Sequence, residues 1–165
     1  MYQTEMRTPK AELEQRIFNL QKYLKKENTD AALISQRADL FYFAGTIQQA
    51  NLFIPADGEP ILMVYKSTER ANAESSIEQI VHLNNPKKIP DILKSNGHAA
   101  PLRLGLELDV LPTNMFFSYQ RLFQGTILLD ISHLIRLIRS VKSPYEIDIM
   151  QRAAPASDDR HGAGL

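Results

Sequence analysis

The stretch "AALISQRADLFYFAGTIQQANLFIPADGEPILMVY", residues 31–65, decides the fold. It begins with "AALIS" (31–35), a continuous apolar run that suits a strand covered on both faces. "ADLFYFAG" (38–45) is aromatic, closes on Gly45 and reads as a helical turn. "NLFI" (51–54) and "PILMVY" (60–65) read as strands on either side of "PADGE", and Asp57-Gly58 marks the turn of a hairpin between them.

Working outward, the same alternation continues. Upstream, Leu13, Ile17, Leu20 and Leu24 fall at i, i+4, i+7 and i+11, one apolar helical stripe. Thr8-Pro9 is expected to start this helix, with the Thr8 hydroxyl as cap and Pro9 at the first helical position. Glu12 and Glu14 early and Lys25 and Lys26 late match the helix dipole, and Asn28-Thr29-Asp30 ends it. Downstream, "STERANAESS" (67–76) reads as a short helix capped by Ser67 or Thr68, and "IEQIVHL" (77–83) as a strand. "IPDILKSNG" (89–97) reads as a helix closed by Asn96-Gly97. "LRLGLEL" (102–108) is a strand with apolar residues at alternate positions, and "PTNMFFSYQRLFQG" (112–125) is a helix stopped by Gly125. "TILLDIS" (126–132) is a strand and "HLIRLIRSV" (133–141) a short amphipathic helix. Helices alternating with covered strands, interrupted by one hairpin, imply a single α/β domain. Its sheet is mixed, with helices on both faces.

The last helix carries the densest start signal. Ser143-Pro144-Tyr145-Glu146 is a capping box with proline at the first helical position. Ile147, Met150 and Ala154 give it a narrow apolar face that seeks a partner. Pro155 disfavours the α conformation at Ala154 and is expected to end the helix there.

Composition narrows the function. The 165 residues are 44% hydrophobic and 23% charged, a globular balance. Lys+Arg and Asp+Glu both number 19, so no charge excess points to nucleic acid or an anionic membrane. With no cysteine, disulfides and thiolate metal sites are excluded, which fits the cytoplasm. "MYQTEMRTPKAELEQR" has no apolar run and is not expected to be a signal peptide, and no stretch approaches a membrane span.

Catalytic signatures are missing. G-x-G-x-x-G, the P-loop, H-E-x-x-H and G-x-S-x-G do not occur. His82, His98, His133 and His161 have no partner histidine at ligand spacing. Glu107 and Asp109, at i and i+2, can share a strand face and hold a metal or divide acid and base roles. Alternatively they are a solvated strand end leading into the turn at Pro112. Asp158, Asp159 and His161 are ligand types close together, but in a stretch with no pattern around them, read as a disordered tail. Phe41, Tyr42 and Phe43 are either core or an aromatic wall at a ligand or subunit interface.

Taken together, "DAALIS", "RADLFYFAG", "LFIPADGEPILMVYKSTERA", "LGLELDVLPTNMFFSY" and "DISHLIRLIRSVKSPYEIDIMQRAA" give the chain a family likeness over residues 8–154. It resembles the N-terminal domain of Xaa-Pro peptidases, the proline-specific aminopeptidases and dipeptidases (prolidases) of the creatinase superfamily. The resemblance implies a three-layer α/β/α domain over residues 8–142 with a mixed, roughly six-stranded sheet. Residues 143–154 would then begin a junction helix to a catalytic domain, with 155–165 an unrelated, disordered tail.

In that family two aspartates, a histidine and two glutamates of a C-terminal domain hold two divalent ions, commonly manganese, cobalt or zinc. These activate a bridging water. Nothing in this chain matches those ligands, and Asp158, Asp159 and His161 do not occupy their positions. No catalytic or metal residue is assigned, and the chain alone is expected to be inactive. The resemblance further implies a cytoplasmic homodimer, acting on short proline-containing peptides as a full-length protein, with no nucleic acid or membrane partner. The N-terminal domain would support dimerisation and narrow substrate access. Arg37, Asp39 and Tyr42, in "RADLFYFAG", are the candidates for that substrate-access or interface role. Two other expectations stand beside it. One is a catalytically dead interaction or chaperone-type module of the same fold; the other is the N-terminal domain of a creatinase-type hydrolase.

Overall fold

The computed structural model describes residues 7–154. The element order is α1 (Lys10–Lys26), β1 (Ala31–Ile34), α2 (Arg37–Ala44), β2 (Ala50–Pro55), β3 (Ile61–Val64), α3 (Thr68–Glu74) and β4 (Gln79–His82). A 3-10 turn follows at Pro86–Lys88, then α4 (Ile89–Ser95), β5 (Arg103–Leu106), α5 (Thr113–Leu122), β6 (Ile127–Asp130), α6 (Ser132–Ser140) and α7 (Pro144–Ala153). The strands form one six-stranded sheet in the order β4-β3-β2-β1-β5-β6. The β1–β2 and β2–β3 pairs are antiparallel, and β1–β5, β5–β6 and β3–β4 are parallel. The expected mixed sheet and hairpin are therefore present.

The unbroken apolar runs have a direct explanation in the two cores. Ala32 and Ile34 of β1 face one core with Leu20 and Leu24 of α1, Phe43 of α2, and Leu134, Ile135 and Ile138 of α6. Ala31 and Leu33, the alternate residues, face a second core with Leu93 of α4 and Tyr119 and Phe123 around α5. A strand between two helical layers needs apolar side chains at every position, because successive residues point to opposite faces. All four β1 residues and all six of β2 are buried. The edge strands β4 and β6 are only partly covered.

Local signals set most of the boundaries. Gly45 takes a left-handed conformation (φ 73°) and closes α2, its N–H donating to the Phe41 carbonyl. Ser67 caps α3 by accepting from the Arg70 amide. Two expectations need correction. Helix α1 begins at Lys10, and Pro9, in an extended conformation (ψ 143°), is its N-cap. Thr8 makes no capping hydrogen bond because its side chain is drawn into the core instead, against Gly45. Ala154 keeps helical angles (φ −61°, ψ −41°) despite the proline that follows it. The expectations for residues 155–165, including the Asp158, Asp159 and His161 group, lie outside the described residues.

Gly105 in β5 answers a packing need. A Cβ there would lie 2.5 Å from Cγ2 of Ile131, a buried residue at the start of α6. Gly105→Ala is expected to destabilise the domain by about 1–3 kcal/mol, the usual range for overpacking. Urea denaturation of G105A, I131A and the double variant should show a double-variant loss smaller than the sum of the singles, because I131A makes room for the new methyl group.

Candidate functional site

At one end of the sheet, α1, α2, α6 and α7 meet around a buried guanidinium. Arg16 of α1 has only 7% of its side chain exposed. Its Nε donates to Glu12 Oε1 at 3.0 Å, and its Nη1 donates to the Tyr42 carbonyl oxygen at 2.8 Å. Its Nη2 lies 3.8 Å from Glu146 Oε1 in α7. The same guanidinium sits 4.2 Å from the centre of the Tyr42 ring, a cation–π contact. Burial pushes the Tyr42 hydroxyl above its ordinary pKa, and the nearby Glu146 carboxylate adds to this.

The start of α7 is fastened into this cluster. Ser143 Oγ donates to Glu12 Oε1 at 2.7 Å and accepts from the Glu146 amide at 3.1 Å. The Ser143 amide donates to Glu146 Oε2 at 3.0 Å, so both halves of the expected capping box are made. Beyond this turn, α7 buries no residue; Ile147, Ile149 and Met150 are exposed.

Beside the cluster lies a cleft of about 380 Å³ between α2, α6 and the carboxyl ends of β1 and β5, with Asp39, Glu107, Ser132 and Arg139 in its lining. Arg139 Nη1 donates to Asp39 Oδ1 at 2.7 Å, and its guanidinium reaches the Tyr42 ring at 5.7 Å. Arg136 pairs with Asp109. Glu107, just past β5, is 2% exposed. Its Oε2 accepts from the Ser35 amide at 2.8 Å and the Gln36 amide at 3.1 Å, holding the turn between β1 and α2.

The three residues singled out from the sequence therefore separate. Arg37 is exposed and makes no ion pair with a described residue. Asp39 is buried under Arg139, and Tyr42 is buried between two arginines. Of the aromatic run, Phe43 is fully buried and Phe41 is exposed, so the run is mostly core. Glu107 and Asp109 do not form a pair: one is buried in the β1–α2 turn, the other is tied to Arg136 at the surface. The solvated strand end expected at Glu107 is corrected by its 2% exposure. Of the described histidines, His98 packs on Phe53, and His82 Nε2 lies 3.1 Å from the Tyr65 carbonyl oxygen. Among the described residues no three His, Cys, Asp or Glu side chains come together to hold a metal ion. The two ions that the resemblance implies thus find no ligand set in residues 7–154.

The sequence reading missed Glu12, Arg16 and Arg139. Their only available signal was an arginine at a core-facing position, four residues after a glutamate, on an otherwise apolar helical stripe.

This fold matches known proteins. The Creatinase/Prolidase N-terminal domain family matches residues 16–141. The chain belongs to that family. Among curated relatives, the Xaa-Pro dipeptidase of Pyrococcus furiosus is 24% identical over 147 residues, covering 88% of this chain and 40% of that protein. The chain thus spans about two fifths of the length of such relatives. The prolidase of Pyrococcus horikoshii has the same fold, with a TM-score of 0.75 at 21% identity over 88% of this chain and 40% of its own. A proline dipeptidase structure from Streptococcus pneumoniae is 25% identical, with a TM-score of 0.65, and matches 79% of this chain and 98% of its own. Among the described residues no helix is long and apolar enough to cross a membrane.

Arg16→Ala is expected to cost about 3–5 kcal/mol, because it strands Glu12 in a largely buried site and removes a donor to the Tyr42 carbonyl. Arg16→Lys should recover little, since a lysine cannot both fork to Glu12 and the carbonyl and lie flat on the ring. Chemical denaturation midpoints of the two variants check this; near wild-type stability in R16A would contradict it.

Proposed function

We propose that this chain is the non-catalytic N-terminal domain of a proline-specific dinuclear metallopeptidase, an Xaa-Pro aminopeptidase or dipeptidase. In this reading residues 8–142 are the domain body and 143–154 begin the helix that joins it to a catalytic domain. The observation that carries the reading is α7, whose first turn is bolted to the body while Ile147, Ile149 and Met150 stand exposed. A helix built this way is a rigid arm, and an exposed apolar face asks for a partner domain.

The domain's work is then assembly and access. Arg37, on the exposed side of α2, is the candidate to face a neighbouring subunit or an incoming peptide. Asp39 and Tyr42 act from beneath by fixing Arg139 and Arg16. The full-length protein is a cytoplasmic homodimer that cleaves short peptides before proline with two divalent ions held in its catalytic domain.

Two measurements test this. The gene beyond codon 154 should encode a domain with two aspartates, a histidine and two glutamates at metal-ligand spacing. The 165-residue chain should hydrolyse no Xaa-Pro dipeptide with added manganese or cobalt, while the full-length product should do so and lose activity to a chelator. Turnover that scales with the concentration of the short chain would overturn the proposal.

A further inference from the structure

The most unusual group in the domain is the Glu107 side chain, which neither the family relation nor the proposed function uses. It is 2% exposed, at the carboxyl end of a parallel strand. One oxygen is saturated by two backbone amides, at 2.8 and 3.1 Å. The other, Oε1, is buried and meets no N–H or hydroxyl donor. The Asp39 side chain lines the same cleft as Glu107 and acts on its carboxyl group. Two carboxyl groups can hydrogen-bond only if one carries the proton. Asp39 is the one held by a cation, through Arg139 at 2.7 Å, so it is the acceptor. Glu107 is the donor.

We propose that Glu107, Asp39 and Arg139 form a proton-dependent latch in which the acid form of Glu107 ties the end of β5 to α2 and, through Asp39, to α6. The latch belongs to this chain alone and does not depend on the peptidase reading. Two members sit at the two ends of one short relay. Glu107 holds the Ser35 and Gln36 amides, and Arg139 lies three residues before Lys142, at the approach to α7.

The surrounding charges support a switch rather than a fixed ion pair. On α6, Arg136 is engaged by Asp109, and Arg139 is already shared by Asp39 and the Tyr42 ring. Lys142 donates to the Arg139 carbonyl and is exposed. On the other side, Tyr119 of α5 is a buried hydroxyl that donates to Asn51 Oδ1 at 3.0 Å, and Tyr65 takes the Asn51 amide at 2.9 Å. Asp130 of β6 is spent on Ser132 and the Leu108 amide. Among the described residues no cation lies within ion-pair distance of Glu107, while Asp39 is paired with Arg139. Burial pushes the Glu107 carboxyl up to about 8, against the pull of the Ser35 and Gln36 amides, and Asp39 pushes it further the same way. When the proton leaves, two carboxylates face each other with one arginine between them, and the contact of α2 with β5 and α6 loosens.

The sign of the linkage follows. The folded-state pKa lies above the unfolded one, so the folded chain binds the extra proton between them. Stability from this group is complete below about pH 4.5 and is lost as pH rises to about 8. Glu107→Gln keeps an acceptor for the two amides and supplies an N–H to Asp39, so it fixes the latched form. Carboxyl ¹³C NMR of the full chain should show one glutamate titrating near 8. Denaturation midpoints between pH 5 and 8 should fall in the wild type and not in E107Q. Every glutamate titrating below pH 6, or identical pH profiles for wild type and E107Q, would overturn the latch. If E107Q fails to fold, Asp39→Asn serves, since removing the neighbouring charge should lower the Glu107 midpoint; an unmoved midpoint would equally overturn it.

Discussion

The domain's architecture at its functional end depends on one buried cation. Arg16 sits on the core-facing side of α1, where an apolar residue would be the default, and a lone charge there would be costly. The structure offsets that cost with Glu12, the Tyr42 carbonyl, the Tyr42 ring and, at longer range, Glu146. These partners come from α1 itself, from α2 and from α7. The requirement to satisfy Arg16 therefore fixes α1 against α2 and sets where α7 starts. Tyr42 extends the arrangement by offering its ring to Arg139 as well, which brings α6 into the same set of contacts.

The fold was largely legible because its signals are local or periodic. Apolar runs with no alternation marked the covered strands, Asp57-Gly58 marked the hairpin, and the Ser143 capping box marked α7 to the residue. Thr8 shows where this reasoning stops: its capping hydroxyl was a sound local signal, but the core's demand for a small side chain against Gly45 overrode it.

The site was far less legible. Its defining contacts join residues that lie far apart in the chain: Arg16 with Tyr42, Asp39 with Arg139, Ser35 with Glu107. No spacing rule reaches across such distances. Glu107 is the clearest case. Beside Asp109 it looked like half of a solvated pair, yet the turn of the chain after β5 sends one carboxylate inward and the other to Arg136. In "RADLFYFAG", the neighbouring helices decide which residues face water, and the local sequence does not carry that information.

The bond between Ser143 and Glu12 spans 131 positions. It closes nearly the whole chain into a ring, so it can form only after the sheet and both helical layers have brought the two ends together. During synthesis, Glu12 emerges long before Ser143, so the first turn of α7 meets its partner only after the elements between them have been made. Its direction becomes defined at the last step of domain assembly, which makes the clasp a checkpoint on completed folding. A body folded incorrectly at either end would leave the arm without a fixed direction.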